Sequence, residues 1–264
     1  MFPRSLTLLA AFSASLASMP TLAAWHTEPV EWTLDETRYS GVLVYDDASL
    51  DKRPGIVMVP NWMGVNDAAV ERAKELAGTD FVVLVADVYG KGIRPADAKA
   101  AGEQSRRMLA DRSVLRARTV KALDVLRENA ANAPLDATKL GAVGFCFGGT
   151  TVLELARSGA NIAGVVSLHG GLKTDLPATE TPKASILVLN GAADTYITAE
   201  DIAGFQAEMD KVQADWQFVN YAGAVHCFAE ASAASPPGCV YHPVAAKRAF
   251  AALRGFFGEV FGTA

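Results

Sequence analysis

Short apolar runs alternate with longer amphipathic stretches along most of this chain. A run of about four to eight branched aliphatic or aromatic residues is typical of a strand buried on both faces of a parallel sheet. The runs that predict such strands are residues 55–59, 81–86, 140–145, 162–168, 184–191 and 216–221. Nearer the start, residues 29–34 and 38–45 predict an antiparallel pair around a polar turn.

The stretches between these runs carry apolar residues at helical spacing. Asn66 or Asp67 can cap a helix that runs to Gly78, and residues 95–129 are predicted to be helical with a break near Gly102. The apolar face of that long segment, expected to pack on the sheet, is Met108, Leu109, Leu115, Val120, Leu123 and Leu126. The remaining predicted helices follow the strand ending at 145 and cover 198–212 and 243–261. Repetition of strand and helix predicts an α/β fold, a mainly parallel sheet with helices on both faces.

The first 24 residues have the three parts of a secretory signal peptide. Arg4 precedes an apolar stretch from Leu6 to Leu16, and the small residues Ala23 and Ala24 come before a more polar segment. The apolar stretch is too short and too rich in Ser and Ala to span a bilayer well, so we expect no membrane span in the mature form. The sequence predicts a periplasmic or secreted protein in which residues 25–264 form a single α/β domain.

Composition narrows the function classes. Half of the 264 residues are hydrophobic, which disfavours disorder. The formal net charge is −5 and the chain has no basic run, so we expect no nucleic-acid partner. The cysteines lack metal-site spacing with His26, His169 or His242, so neither a metal nor a cofactor is predicted.

Residues 140–149, Leu-Gly-Ala-Val-Gly-Phe-Cys-Phe-Gly-Gly, carry the clearest chemical signal. An apolar run ends in Gly-x-Cys-x-Gly, the form of a nucleophile elbow with Cys146 where a serine usually stands. Gly144 and Gly148 leave room for a sharp strand-to-helix turn. The positive end of the following helix would favour the thiolate of Cys146. Alone, the motif could also be a small buried cysteine at a strand end.

An acid and a base follow in the order that this architecture requires. Asp194 comes just after the predicted strand 184–191, and His226 lies in the loop after the predicted strand 216–221. Separately, Asp194 could be a turn-forming residue and His226 a solvated loop histidine. Because nucleophile type, chain order and strand-end placement agree, we predict a catalytic triad of Cys146, Asp194 and His226.

The chain resembles the dienelactone hydrolase family of α/β-hydrolases. The matching segments are Ile56-Val-Met-Val-Pro-Asn-Trp-Met-Gly-Val65, Val85-Ala-Asp-Val-Tyr-Gly90, Val143-Gly-Phe-Cys-Phe-Gly-Gly149, Val166-Ser-Leu-His-Gly-Gly171, Asn190-Gly-Ala-Ala-Asp194 and His226-Cys-Phe228. They keep the family's order and spacing over about four-fifths of the chain. The resemblance implies the α/β-hydrolase fold and, by its pattern, an oxyanion hole made of the backbone N–H groups of Phe147 and Trp62.

Three departures bear on the substrate. Dienelactone-cleaving members carry a glutamate that interacts with the cysteine, and Asn61 is at that position here. They bind the substrate carboxylate with two arginines, which align with Lys91 and Glu230. Lysine does not replace a bidentate arginine, and a glutamate would repel an anionic substrate. We therefore expect the substrate not to be dienelactone itself. Without a carboxylate beside Cys146, the thiol and His226 could rest as a thiolate–imidazolium pair.

Other residues are candidates for substrate contacts. Trp62, Met63 and Tyr89 are expected to line the pocket, with ordinary packing as the alternative. Lys91 could meet an anionic group, or be solvated. His169 ends a strand near the predicted site, where a structural hydrogen bond and a substrate contact are both open.

Export to an oxidising compartment changes how the cysteines are interpreted. Cys227 and Cys239 flank one loop, and we predict that they form a disulfide that holds the loop carrying His226. The alternative is that Cys227 packs beside the histidine while Cys239 is exposed. If the disulfide forms, Cys146 is left as the odd thiol.

These observations favour a hydrolase that cleaves small carboxylic esters or lactones through a thioester acyl-enzyme. A thioester or amide hydrolase is the nearest alternative, followed by a non-catalytic binding protein on the same fold. A thiol redox protein is disfavoured because Cys146 has no partner in a Cys-x-x-Cys pattern. The sequence does not decide the oligomeric state.

Overall fold

The computed structural model describes residues 24–263. Its centre is an eight-stranded sheet in the order β1-β2-β4-β3-β5-β6-β7-β8. The strands are β1 Trp25–Leu34, β2 Thr37–Asp46, β3 Arg53–Val59, β4 Val82–Val85, β5 Leu135–Phe145, β6 Gly164–Leu168, β7 Ser185–Gly191 and β8 Trp216–Tyr221. The pairs β1/β2 and β2/β4 are antiparallel, and the neighbours from β4 through β3 to β8 are parallel. The carboxyl ends of six strands therefore meet at one edge, where ligands bind in folds of this kind.

Residues 24–263 contain six α-helices, of which five lie between strands of this sheet and the sixth follows β8. They are α1 Asp67–Ala77, α2 Ala98–Leu109, α3 Arg112–Glu128, α4 Phe147–Arg157, α5 Ala199–Lys211 and α6 Pro243–Phe261. The Asn66 side chain accepts a hydrogen bond from the Ala69 N–H and so begins α1, and Gly78 ends that helix with a φ of 47°. Thr198 begins α5 with a capping box.

Alternate residues along the strands separate two apolar cores, one on each face of the sheet. Val57 and Val59 face a core with α2, α3, α4 and α5, while Ile56 and Met58 face a core with α1 and α6. Because both faces are covered, the strands can be apolar throughout, as the sequence pattern indicated. The predicted α/β-hydrolase architecture is confirmed.

The predicted break of the long helical segment near Gly102 is wrong. Helix α2 continues through Gly102, and the chain breaks at Ala110 and Asp111 instead. A glycine costs a helix only about 1 kcal/mol, which packing can offset. Asp111 accepts a hydrogen bond from the Val114 N–H, and this cap begins α3 as a separate helix.

Two strands begin four or more residues earlier than the sequence pattern indicated. Strand β5 begins at Leu135, before the apolar run, and β1 begins at Trp25. The predicted signal peptide lies outside the described residues, except for Ala24. Every helix between residues 24 and 263 is too short or too polar to cross a bilayer.

Candidate active site

The turn between β5 and α4 has the strained geometry of a nucleophile elbow. Cys146 stands between the two elements with φ 53° and ψ −116°, a conformation that L-residues rarely adopt. A Cβ at Gly144 would lie 2.0 Å from the Gly148 carbonyl oxygen, and one at Gly148 would lie 2.0 Å from the Val59 carbonyl oxygen. Both glycines are therefore required by close backbone contact, and Gly148 brings the start of α4 against the segment that follows β3.

The structure brings together the three side chains predicted from chain order. The His226 Nε2 lies 3.1 Å from the Cys146 Sγ, and the His226 Nδ1 lies 2.7 Å from the Asp194 Oδ2. Asp194 is fully buried, and its second oxygen accepts the Tyr196 N–H at 2.8 Å. The carboxylate is thus held on two sides and presents one oxygen to the imidazole. This is the linear order of nucleophile, base and orienting acid found in acyl-transfer triads.

Electrostatics favour a charged imidazole at His226. Burial opposes the charge, but hydrogen bonds to Asp194 and Cys146 and the negative charges of both outweigh it and raise the pKa of His226 to about 10. The histidine is thus poised to hold the proton that a nearby thiol would release.

The loop that carries His226 is cross-linked at its base. Cys227 and Cys239 form a disulfide, which confirms that prediction, and Cys146 is a free cysteine. Main-chain hydrogen bonds brace the same loop: the Val240 N–H donates to the His226 carbonyl at 3.1 Å, and the His242 N–H donates to the Phe228 carbonyl at 3.0 Å.

His169 contacts the backbone of Cys146. Its ring is fully buried, and the Cys146 N–H donates both to the Leu168 carbonyl at 3.0 Å and to the His169 Nδ1 at 3.1 Å. Burial first, and then the nearby charges of His226 and Arg72, lower its pKa well below the usual value, so the ring is neutral. Since Nδ1 accepts, the proton of the neutral ring is on Nε2. Of the two roles left open for His169, the structure favours the structural hydrogen bond, because the ring is not in the wall of the cavity beside Cys146.

The segment of residues 60–64, here called the oxyanion loop after its predicted role, follows β3 and packs against the elbow. Its Trp62 carbonyl accepts the Tyr89 hydroxyl at 2.9 Å. Among the hydrogen bonds of residues 24–263, neither the Trp62 N–H nor the Phe147 N–H has an acceptor. Tyr89 is buried against Phe147, with ring centroids 5.4 Å apart, and so positions the loop. It was expected to line the cavity beside Cys146, but it is not in the wall of that cavity.

A cavity of about 380 Å³ opens beside the cysteine. Most of its wall surface is apolar, and the residues that line it are Trp62, Ser105, Leu109, Cys146, Phe147, Thr150, Gly171, Tyr196, Ile197, His226, Cys227 and Cys239. Sequence reasoning missed Tyr196, whose ring stands edge-on to His226 with centroids 5.1 Å apart. Its position two residues after Asp194 was the only available signal. Lys91 is not in this wall, because its ammonium pairs with Glu31 at 2.6 Å.

Asn61, Met63 and Glu230 line a separate, smaller cavity of about 160 Å³ together with Arg72. The Asn61 amide donates a hydrogen bond to the Glu230 carboxylate. Burial raises the pKa of Glu230, against the opposing effects of Asn61 and Arg72. Glu230 thus reaches Asn61 from a loop distant in sequence, a contact that the sequence did not indicate. These three residues are also absent from the wall of the cavity beside Cys146.

Residues 24–263 contain no cluster of three or more His, Cys, Asp or Glu side chains that could hold a metal ion. The groups gathered at the strand ends are instead a thiol, an imidazole, a carboxylate and free amide donors. This set can carry out nucleophilic acyl transfer.

Comparison with known proteins agrees with this chemistry. The model of the dienelactone hydrolase family matches residues 40–261. A probable 2-oxo-3-(5-oxofuran-2-ylidene)propanoate lactonase from Bradyrhizobium sp is 30% identical over 208 residues, which cover 75% of this chain and 80% of that protein. The structure named m3DLH is 37% identical with a TM-score of 0.84, and a dienelactone hydrolase-like promiscuous phosphotriesterase from metagenomic libraries is 35% identical with a TM-score of 0.83. Each of these two matches covers 90% of this chain and 99% of the other.

Proposed function

Because this chain belongs to the dienelactone hydrolase family and is a hydrolase of esters or lactones, we propose that Cys146 is its nucleophile and that the reaction passes through a thioester acyl-enzyme. The observation that carries the proposal is the line of contacts from Asp194 through His226 to the Cys146 sulfur, at 2.7 and 3.1 Å, beside an open cavity.

The reaction begins with the Cys146 thiolate attacking the substrate carbonyl carbon. The tetrahedral intermediate expels the alcohol oxygen, which takes the proton from the His226 imidazolium, and the acyl group stays on sulfur. Neutral His226 then takes a proton from water, the hydroxide attacks the thioester, and the thiolate leaves. Asp194 keeps the proton-bearing Nδ1 of His226 in place and stabilises the cation in both steps.

The negative oxygen of each intermediate needs donors that are already in position. The free N–H groups of Phe147 and Trp62 supply them, one from the start of α4 and one from the oxyanion loop. The loss of one such donor typically costs about 3 kcal/mol of transition-state stabilisation.

The substrate of this proposal is neutral and apolar at its acyl or alcohol group. The cavity wall contains Leu109, Ile197 and aromatic rings, and its only ionisable groups are those of the reaction and of Tyr196. Lys91 is paired with Glu31 and cannot serve as a carboxylate receptor without breaking that pair. An anionic lactone would lose its hydration here, and the one cation in the wall, the His226 imidazolium, is already paired with Asp194 and Cys146.

Phosphotriester hydrolysis is a second candidate, favoured by the 35% identity to the promiscuous phosphotriesterase. A neutral phosphotriester suits the same apolar cavity. The Cys146 thiolate would attack phosphorus and displace the leaving group, and water would then release the phosphodiester from sulfur.

The proposal also includes export to the periplasm or the exterior. The Cys227–Cys239 disulfide supports it, because such bonds persist in oxidising compartments.

A panel of p-nitrophenyl esters and lactones of varied charge, with paraoxon added, tests these assignments in wild type and Cys146→Ala. Lys91→Ala is the matched surface control at the same edge of the sheet. We expect Cys146→Ala to lose turnover of every substrate, Lys91→Ala to retain it, and the wild type to prefer neutral esters. Equal turnover by wild type and Cys146→Ala would exclude Cys146 as the nucleophile. A preference for carboxylated lactones would exclude neutral, apolar esters and lactones as the substrate class.

A further inference from the structure

Glu230 connects three parts of the site that are far apart in sequence. It lies four residues after His226 on the same loop, and its side chain is 14% exposed. One carboxylate oxygen accepts the hydrogen bond from the Asn61 amide, and the other lies 4.0 Å from the His169 Nε2. The carboxylate thus stands between the oxyanion loop and the ring behind the nucleophile.

On one side, the hydrogen bond between Asn61 and Glu230 controls the shape of the oxyanion loop. The Asn61 Oδ1 accepts the Met63 N–H at 3.0 Å, and the Asn61 carbonyl accepts the Gly64 N–H at 3.0 Å. Because an amide group is planar, the bond from its nitrogen to Glu230 also determines where its oxygen points. The turn held in this way contains Trp62, whose N–H is the proposed oxyanion donor.

On the other side, the Glu230 carboxylate faces the His169 ring, which accepts a hydrogen bond from the Cys146 N–H. The His169 Nε2 carries the proton and is buried without a hydrogen-bond partner among residues 24–263. At 4.0 Å its approach to Glu230 is too long for a hydrogen bond, but a negative oxygen opposite an N–H dipole in a buried region is attractive. This attraction favours the ring orientation in which Nδ1 accepts the Cys146 N–H.

We propose that Glu230 is a positioning residue that holds the oxyanion loop against the nucleophile elbow, through its hydrogen bond to Asn61 and its contact with His169. Glu230 does not touch the reacting atoms, because it lines the 160 Å³ cavity and not the one beside Cys146. This inference rests on the proposed hydrolysis. It assigns to Glu230 a contribution to the acyl-transfer transition state and not to substrate binding.

Two reactions of the Cys146 sulfur, ester hydrolysis and alkylation, distinguish a role of Glu230 in positioning the oxyanion donors from a general role in stability. Hydrolysis of a neutral p-nitrophenyl ester needs the oxyanion donors, whereas alkylation of Cys146 by iodoacetamide forms no oxyanion. For Glu230→Ala we expect kcat to fall about 10- to 100-fold, below the loss typical of deleting a donor outright, with KM and the alkylation rate each within about twofold of wild type. Glu230→Gln keeps an oxygen that can accept from Asn61, so it is expected to recover at least about tenfold of a 100-fold loss.

The partner variant and a control complete the experiment. Asn61→Ala should reproduce most of the effect of Glu230→Ala. The double variant should lose clearly less than the product of the two single losses, because both single variants remove the same Asn61–Glu230 hydrogen bond. Ser232→Ala, which changes another residue in the wall of the smaller cavity, should behave as wild type. If Glu230→Ala fails to fold by circular dichroism, Asn61→Ala carries the same expectation.

Three results would overturn the inference: wild-type kcat in Glu230→Ala, a parallel fall of hydrolysis and alkylation, or additive losses in the double variant. A Glu230→Gln variant as impaired as Glu230→Ala would also exclude the hydrogen bond as the cause. These failures are distinct from failure of the proposed function, in which Cys146→Ala would itself retain hydrolysis.

Discussion

Reduction of the Cys227–Cys239 disulfide is expected to lower stability strongly and activity only slightly. The bond joins cysteines 12 residues apart in the loop that begins beside His226. A cross-link closing a loop of this length removes chain entropy from the unfolded state, which corresponds to about 3 kcal/mol at 25 °C. Reduced protein should therefore unfold at a melting temperature about 6 to 12 °C lower, at about 2 to 4 °C per kcal/mol for a domain of this size.

The expected effect on turnover follows from what else holds the loop. Besides the disulfide, main-chain hydrogen bonds run from Val240 to His226, from Tyr241 to Ala233 and from His242 to Phe228, each between 3.0 and 3.1 Å. At about 1 kcal/mol per bond, the three bonds together favour the closed loop over an open one by about 3 kcal/mol. Only about 1% of reduced molecules would then have an open loop, so kcat/KM should change by less than about twofold at 25 °C.

Urea unfolding of the oxidised and phosphine-reduced wild type, with ester hydrolysis measured on the same samples, is the assay. Chemical reduction leaves the sequence unchanged, so no side chain is truncated and no cavity is created in the core. Cys227→Ala/Cys239→Ala is the control, because the reductant should not alter its unfolding. Coincident unfolding curves would refute the stability argument, and a loss of turnover much larger than twofold in still-folded protein would refute the account of how His226 is held.

Three further predictions concern the triad and the elbow. Asp194→Asn should lower kcat by about 10⁴-fold, as in a serine triad whose imidazole adopts the wrong tautomer, measured at saturating ester. Because the pKa of His226 is raised to about 10, its imidazole should keep its proton up to about pH 9, as followed by the pH dependence of its ring-proton NMR signals. A titration midpoint near the ordinary histidine pKa of about 6.5 would argue against a charged imidazole beside Cys146. Gly148→Ala should abolish folding or lower the free energy of unfolding by several kcal/mol, because the added Cβ would lie 2.0 Å from a backbone oxygen. The control is Gly204→Ala, in open space on α5, which should raise the free energy of unfolding by about 0.5 to 1 kcal/mol. Urea unfolding measures both.

The regular elements could be predicted because their causes are local. The strand Trp216–Tyr221 and the helix Pro243–Phe261 have the bounds that apolar period and capping residues indicated. The helix break near Gly102 failed because propensity at one glycine is weaker than packing, while the cap at Asp111 is a specific hydrogen bond.

The substrate contacts could not be predicted in the same way. Tyr89, Lys91 and His169 all follow or lie near strand ends, yet one is buried under the oxyanion loop, one pairs with Glu31, and one supports the cysteine backbone. Strand-end placement indicates which edge of the sheet a residue occupies. It does not indicate which way the side chain points or which distant loop covers it.

By itself, the sequence determined the fold class and predicted the elbow at Cys146 and the chain order of the proposed nucleophile, acid and base, because backbone sterics and strand order leave few arrangements for Gly-x-Cys-x-Gly. Only the tertiary structure decided that Glu230 bonds to Asn61, 169 residues away, and that an apolar cavity rather than a charged one adjoins the sulfur. The physical reason is that such contacts depend on how loops from separate strands pack at the carboxyl edge of the sheet. Small differences in that packing redirect a side chain without changing any local pattern along the chain.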